Sequence, residues 1–129
     1  MSKAYDIVKA HYDASERGDL DGMMADFADN ILWTEMDGAS TAGTFTGRDE
    51  IIQNVFVPIG NDWDGFGVNL ERLIDGGDDI VALGWYEAKH KKTGKTLKAR
   101  MAHVWTVEGD KIVRFQQFAD TKVLDDAEH

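Results

Sequence analysis

Not one cysteine occurs among the 129 residues, which excludes disulfide frameworks, thiol nucleophiles and thiolate metal sites. Proline is nearly as scarce, with Pro58 standing alone, and no Ser/Gly-rich or repetitive tract marks a linker or an internal boundary. A single domain over residues 1–129 is therefore expected, long enough to bury a core and too short for two. No apolar run approaches the roughly 20 residues that cross a bilayer. The first ten residues mix charges with apolar side chains and hold no apolar h-region, so no secretory leader is read there and a cytoplasmic location is expected. Basic side chains are few, 14 against 24 acidic ones, giving a formal charge of -10. That balance repels a phosphate backbone, so nucleic acid is not an expected partner. No Walker glycine-lysine motif and no serine elbow is found, which leaves nucleotide hydrolysis and serine acyl transfer without support. No two histidines sit at i, i+4 on a helix, and neither a metal nor a cofactor is expected.

What is present is periodic. From Lys3 to Arg17, the residues Ala4, Ile7, Val8, His11 or Tyr12, and Ala14 recur at three- and four-residue steps and predict a helix. Gly18 suits its C-terminus, and Asp19 suits the N-cap of a short second helix carrying Leu20, Met23, Met24 and Phe27 inward. Ile31 to Met36 reads as a strand, followed by a flexible loop through Gly38 and Gly43. Arg48 to Val57 predicts a third helix, ended near Pro58, and Asn61 to Gly67 a loop. Strand signals then run in series over Val68–Ile74, Ile80–His90, Lys95–Val107 and Lys111–Ala119.

Two glycine-containing turns, Lys92-Thr93-Gly94-Lys95 and Glu108-Gly109-Asp110-Lys111, predict tight two-residue hairpin loops. Such loops would set Glu87 opposite Arg100, Trp85 opposite Ala102, Ala102 opposite Gln117 and Arg100 opposite Ala119. One face then carries Leu83, Trp85, Glu87, Arg100, Ala102, Val104, Phe115, Gln117 and Ala119. The other carries Tyr86, Met101, His103, Trp105, Arg114, Gln116 and Phe118. Neither face is simply polar, so helices should cover one and a second copy of the chain the other. The first face is assigned to the helices, and the second to a homodimer interface that includes His103. On the helix side, Glu35, Glu87, Arg100 and Gln117 gather beside Trp33 and Trp85. A carboxylate among tryptophans has its charged form disfavoured, which suits a general acid or base. Glu87 and Arg100 also fit a plain cross-strand ion pair. Either His11 or Tyr12 should point at the sheet, where it can donate to a ligand oxygen.

Several stretches carry a family resemblance: Arg17-Gly18-Asp19-Leu20-Asp21-Gly22, Phe27 to Trp33, Gly43-Thr44-Phe45-Thr46-Gly47-Arg48, Ala102 to Thr106, Gly109 to Phe115, and Asp120-Thr121. In these the chain resembles the SnoaL-like and ketosteroid-isomerase-like proteins of the nuclear-transport-factor-2 (NTF2) superfamily. The resemblance implies an α+β cone of the NTF2-like, cystatin-like kind. Three N-terminal helices pack on the concave face of a strongly curved, mixed and mostly antiparallel sheet, and dimers commonly form through the convex face. By the same resemblance Glu35 takes the place of the proton-moving carboxylate, and the oxyanion-binding tyrosine falls at His11, with Tyr12 adjacent. The second oxyanion donor falls at Ala102, with Gln117 opposite as a substitute, and Asp120 matches the acidic residue near the end of the last strand in SnoaL-type cyclases. The function this implies is a cofactor-independent isomerase or cyclase acting on a small hydrophobic carbonyl compound, with Trp33, Trp85, Phe115 and Arg100 shaping the pocket. The alternative is a non-catalytic protein that binds a ligand in the same pocket.

Overall fold

In the computed structural model, which describes all 129 residues, the chain is pinned from its start. The Ser2 hydroxyl accepts the Tyr5 N–H at 3.1 Å and caps helix α1 (Lys3–Glu16). The Ser2 N–H and hydroxyl both donate to Asp75 at 2.8 Å, tying the helix to the sheet. Val8, His11 and Tyr12 lie on its buried face; successive helical residues are only about 100° apart, so a broad stripe admits both of the last two. Asp19 caps the short α2 (Leu20–Met24) by accepting the Gly22 N–H, as its position predicted. Phe27, expected on that helix, instead opens strand β1 (Phe27–Glu35).

The segment expected to be loop contains β2 (Gly43–Thr46), paired antiparallel with β1. A helical run then proceeds through α3 (Gly47–Ile51), a π turn (Ile52–Phe56) and α4 (Val57–Asp62). The run does not stop at Pro58. The Val57 N–H reaches back five residues to the Ile52 carbonyl, so the ladder has already shifted where Pro58 brings no donor of its own. Four long strands follow: β3 (Trp63–Gly76), β4 (Asp79–His90), β5 (Thr96–Glu108) and β6 (Lys111–Ala119), then a C-terminal helix α5 (Thr121–Glu128). Strand order in the single sheet is β2-β1-β6-β5-β4-β3, antiparallel except for the β1–β6 pair. This is a mixed sheet with helices on its inner face, the α+β architecture expected, with α5 added.

Both predicted registers shift, for identifiable reasons. The β4–β5 turn is four residues long, because the His90 Nδ1 accepts the Lys92 and Thr93 N–H groups at 3.3 Å and fixes a wider loop. Trp85 therefore pairs with Arg100, and Glu87 with Lys98. The β5–β6 turn is tight, but the ladder passes from Val107↔Ile112 to Thr106↔Arg114, leaving Val113 as a bulge. Beyond it His103 faces Gln117 and Trp105 faces Phe115. The helices cover the face bearing Tyr86, Met101, His103 and Trp105, all buried, so these four are not an outer dimer surface. Arg114, Gln116 and Phe118 do point outward, and Phe118 and Leu32 are exposed there.

A second bulge bends the far edge. Glu71 is inserted between the pairs Leu70↔Gly84 and Arg72↔Leu83, bringing the β3 backbone so close to Gly84 that a Cβ there would stand 2.2 Å from the Asn69 carbonyl oxygen. Backbone on both sides leaves nothing to swing away. Gly84→Ala is expected to cost about 3 kcal/mol, the upper end of overpacking effects; an unchanged urea midpoint would contradict this.

Candidate active site

The curved sheet, α1, α2 and the helical run enclose a cavity of about 440 Å³. Its walls are largely aromatic. Trp33 stacks on Phe115 with ring centroids 3.8 Å apart and meets Phe56 edge-on at 5.6 Å. Trp105 lies 4.6 Å from Phe115 and 4.5 Å from His11. On the β3–β4 side Phe66 packs 4.9 Å from Tyr86.

Glu35 ends β1 and, two residues from Trp33, shares its inward face. It is 2% exposed. Its Oε2 accepts the Trp33 indole N–H at 3.1 Å, and its Oε1 accepts the Thr41 hydroxyl at 2.8 Å and the Gln117 amide at 3.3 Å. Burial raises its pKa, and the bonds from Thr41, Trp33 and Gln117 pull the other way. No lysine or arginine lines the cavity. Glu35 is thus a lodged carboxylate oriented by neutral donors, an arrangement able to take and return a proton.

A chain of polar groups continues inward from it. The Gln117 Nε2 donates to the Tyr86 hydroxyl at 2.9 Å as well as to Glu35, while its Oε1 accepts the Met36 N–H at 3.1 Å. The Tyr86 hydroxyl lies 2.5 Å from His103 Nε2, and Tyr12 lies 2.6 Å from His103 Nδ1. The Trp105 indole N–H closes the chain by donating to Tyr12 at 2.8 Å. Desolvation holds the His103 pKa at about 3, with His11 adding to the effect, and holds His11 itself at about 4 against a bond to Met23. Burial pushes both tyrosines upward, Tyr86 further under the charge of Glu35. Both imidazoles and both phenols are neutral near pH 7. No three histidine or carboxylate side chains converge as a metal ion would need.

Residues 8–115 match the SnoaL-like domain. The chain belongs to that family. An NTF2-like protein from Burkholderia thailandensis is 46% identical, with a TM-score of 0.96 over 100% of this chain and 99% of that one. An NTF2-like protein of unknown function from Burkholderia pseudomallei is 28% identical, TM-score 0.90, with 98% of each chain covered. TerC, crystallised with polyporic acid, shares the fold at 21% identity and a TM-score of 0.88, again over 98% of each chain. No curated protein matches.

In this SnoaL-like protein the inner face gathers Glu35, Gln117, Trp33, Phe115, His11 and Tyr12 from the expected site residues. Two of them have other duties than expected. His11 spends its Nδ1 hydrogen on the Met23 carbonyl at 2.9 Å, so the neutral ring has only a lone pair left to offer. Gln117 has both amide hydrogens engaged and serves to position Glu35 and Tyr86. Trp85, Glu87, Arg100 and Ala102 lie on the outer face. There Arg100 stacks over Trp85 at 4.0 Å and reaches Glu71 at 3.7 Å, so neither a Glu87 pair nor a pocket charge is formed. Asp120 is exposed and accepts the Val123 N–H as the N-cap of α5, turned away from the cavity. Sequence reasoning missed Tyr86, His103 and Trp105. The available signal was bulk: Met101, His103, Trp105 and Val107 form a heavier apolar row than Arg100, Ala102, Val104 and Thr106.

Proposed function

We propose that this protein is a cofactor-independent isomerase or cyclase that moves a proton on a small, uncharged carbonyl compound, with Glu35 as the proton carrier. The observation that carries the reading is a buried carboxylate with a raised pKa in an aromatic cavity that no cation lines. An anionic ligand would meet Glu35 with nothing to offset the repulsion, so a neutral, largely apolar one fits best. The carbonyl oxygen would rest on a tyrosine hydroxyl, Tyr12 or Tyr86, where charge developing on an enolate is stabilised by a donor already in place. That TerC was crystallised with polyporic acid supports an organic ligand for this fold. The test is hydrogen exchange: a panel of small cyclic ketones is incubated with the protein in D₂O, and loss of the α-proton signals is followed by NMR. Protein-dependent exchange is expected for at least one ketone. Binding without exchange across the panel would make the pocket a carrier and end the enzymatic reading.

A further inference from the structure

The polar chain has one hydrogen more than its internal bonds can use. Its two ends are fixed donors. The indole N–H of Trp105 has no lone pair to offer, so it donates to Tyr12. The Gln117 amide is oriented by the Met36 N–H, which must donate to Oε1, so Nε2 donates to Tyr86. Between these ends lie Tyr12, His103 and Tyr86, joined by two hydrogen bonds. A neutral imidazole and two phenols bring three hydrogens. Two bonds take two of them.

Every buried polar side-chain atom has a partner by distance, which conceals the surplus. If Tyr12 donates to His103 Nδ1, the ring hydrogen sits on Nε2 and donates to Tyr86. Tyr86 then accepts from both sides and its own hydrogen is unspent. If the ring hydrogen sits on Nδ1 instead, Tyr86 donates to Nε2, Tyr12 accepts from both sides, and the Tyr12 hydrogen is unspent. Both tyrosines line the cavity, so the surplus hydrogen is available to what enters it. Protonation of His103 would break the rule by freeing both hydroxyls. Its ring is buried, has no carboxylate within hydrogen-bond reach, and holds a pKa of about 3.

We propose that Tyr12, His103 and Tyr86 form a one-donor relay that leaves a single phenolic hydrogen for an acceptor oxygen of the ligand, the tautomer of His103 deciding which tyrosine supplies it. His103 is a positioning residue in this scheme, acting through the two tyrosines that hold its ring nitrogens. The inference rests on the proposed function only in taking that oxygen to be the carbonyl. It adds two points. The site offers a neutral donor to one oxygen at a time. That oxygen has two alternative seats, exchanged by moving one proton across an imidazole.

The test needs neither ligand nor turnover. With ¹⁵N-labelled histidine, the ring nitrogens of His103 report which one is protonated. A buried N–H without an acceptor is rarer, and costlier, than an acceptor without a donor, so the ring hydrogen should turn to whichever tyrosine remains. In Tyr12→Phe the hydrogen is expected on Nε2, and in Tyr86→Phe on Nδ1. Protonation of the same nitrogen in both variants would overturn the relay. If either variant fails to fold, the wild-type spectrum decides: one protonated nitrogen from pH 7 down to pH 5 is expected, and a doubly protonated ring in that range overturns it. Failure of ketone exchange would leave these spectra unchanged, so the two readings fall separately.

Discussion

Glu35→Gln is expected to leave a folded protein whose ketone-exchange rate has fallen by about three orders of magnitude, the middle of the range for losing a positioned acid or base. The amide keeps the shape of the carboxyl and one accepting oxygen, which can still serve the Thr41 hydroxyl and Gln117, as Glu35 Oε1 now does. It turns an NH₂ toward the Trp33 indole, so one bond of 3.1 Å is lost. That loss costs about 1–2 kcal/mol, and removal of a buried charge offsets part of it. Circular dichroism and urea unfolding establish the fold, and the exchange assay reads the rate. More than a tenth of the wild-type rate in a folded variant would remove Glu35 as the proton carrier.

In the Glu35→Gln variant stability should drop by about 5 kcal/mol between pH 7 and pH 4.5, a large share of what holds a domain of this size together. The cause is the pair His11 and His103, whose pKa values of about 4 and about 3 lie below the ordinary value of 6.5. Their folded forms resist protons that the unfolded chain takes up readily. The contribution is complete above pH 6.5 and is withdrawn as pH falls toward the folded values, about 2.5 kcal/mol for each ring by pH 4.5. The groups packed on these rings are neutral: Tyr12 and Tyr86 on His103, the Met23 carbonyl and Trp105 on His11. Glu35 acts in the opposite sense. Its raised pKa gives a stabilisation that grows as pH falls, so the unsubstituted protein should lose less than the variant. Urea unfolding of Glu35→Gln at the two pH values isolates the histidines, and a loss below 1 kcal/mol there would show that the two rings accept protons while folded.

Helix α1 and strands β4 and β5 are legible in the chain because a single periodicity dictates each, whereas the first five residues of β3, Trp63 to Gly67, read as loop. Val8, His11 and Tyr12 fall on one helical stripe, and β4 and β5 alternate cleanly. The register was not legible. It depends on an imidazole that caps a turn at His90 and on one residue, Val113, that slips out of the ladder. Neither leaves a mark in hydropathy. The consequence reaches the site: Glu35 and Trp33 could be assigned to the cavity from β1 alone, whereas the β4–β5 side chains were assigned to the wrong face. Helix α5 went unread although Asp120 is a good N-cap, with Val123, Leu124 and Ala127 behind it; the family's acidic position drew attention to the same residue for another reason.

The parallel pairing of β1 with β6 has a bearing on how the protein comes to exist at all. Glu35 receives its bond from Gln117 across 82 positions of sequence, and the strand that holds it has no inner neighbour until β6 arrives. A nascent chain on the ribosome therefore cannot assemble the cavity piecemeal. Its aromatic lining remains uncovered until β6 has emerged, and the search that brings β1 and β6 together sets a slow step in folding that depends on their separation.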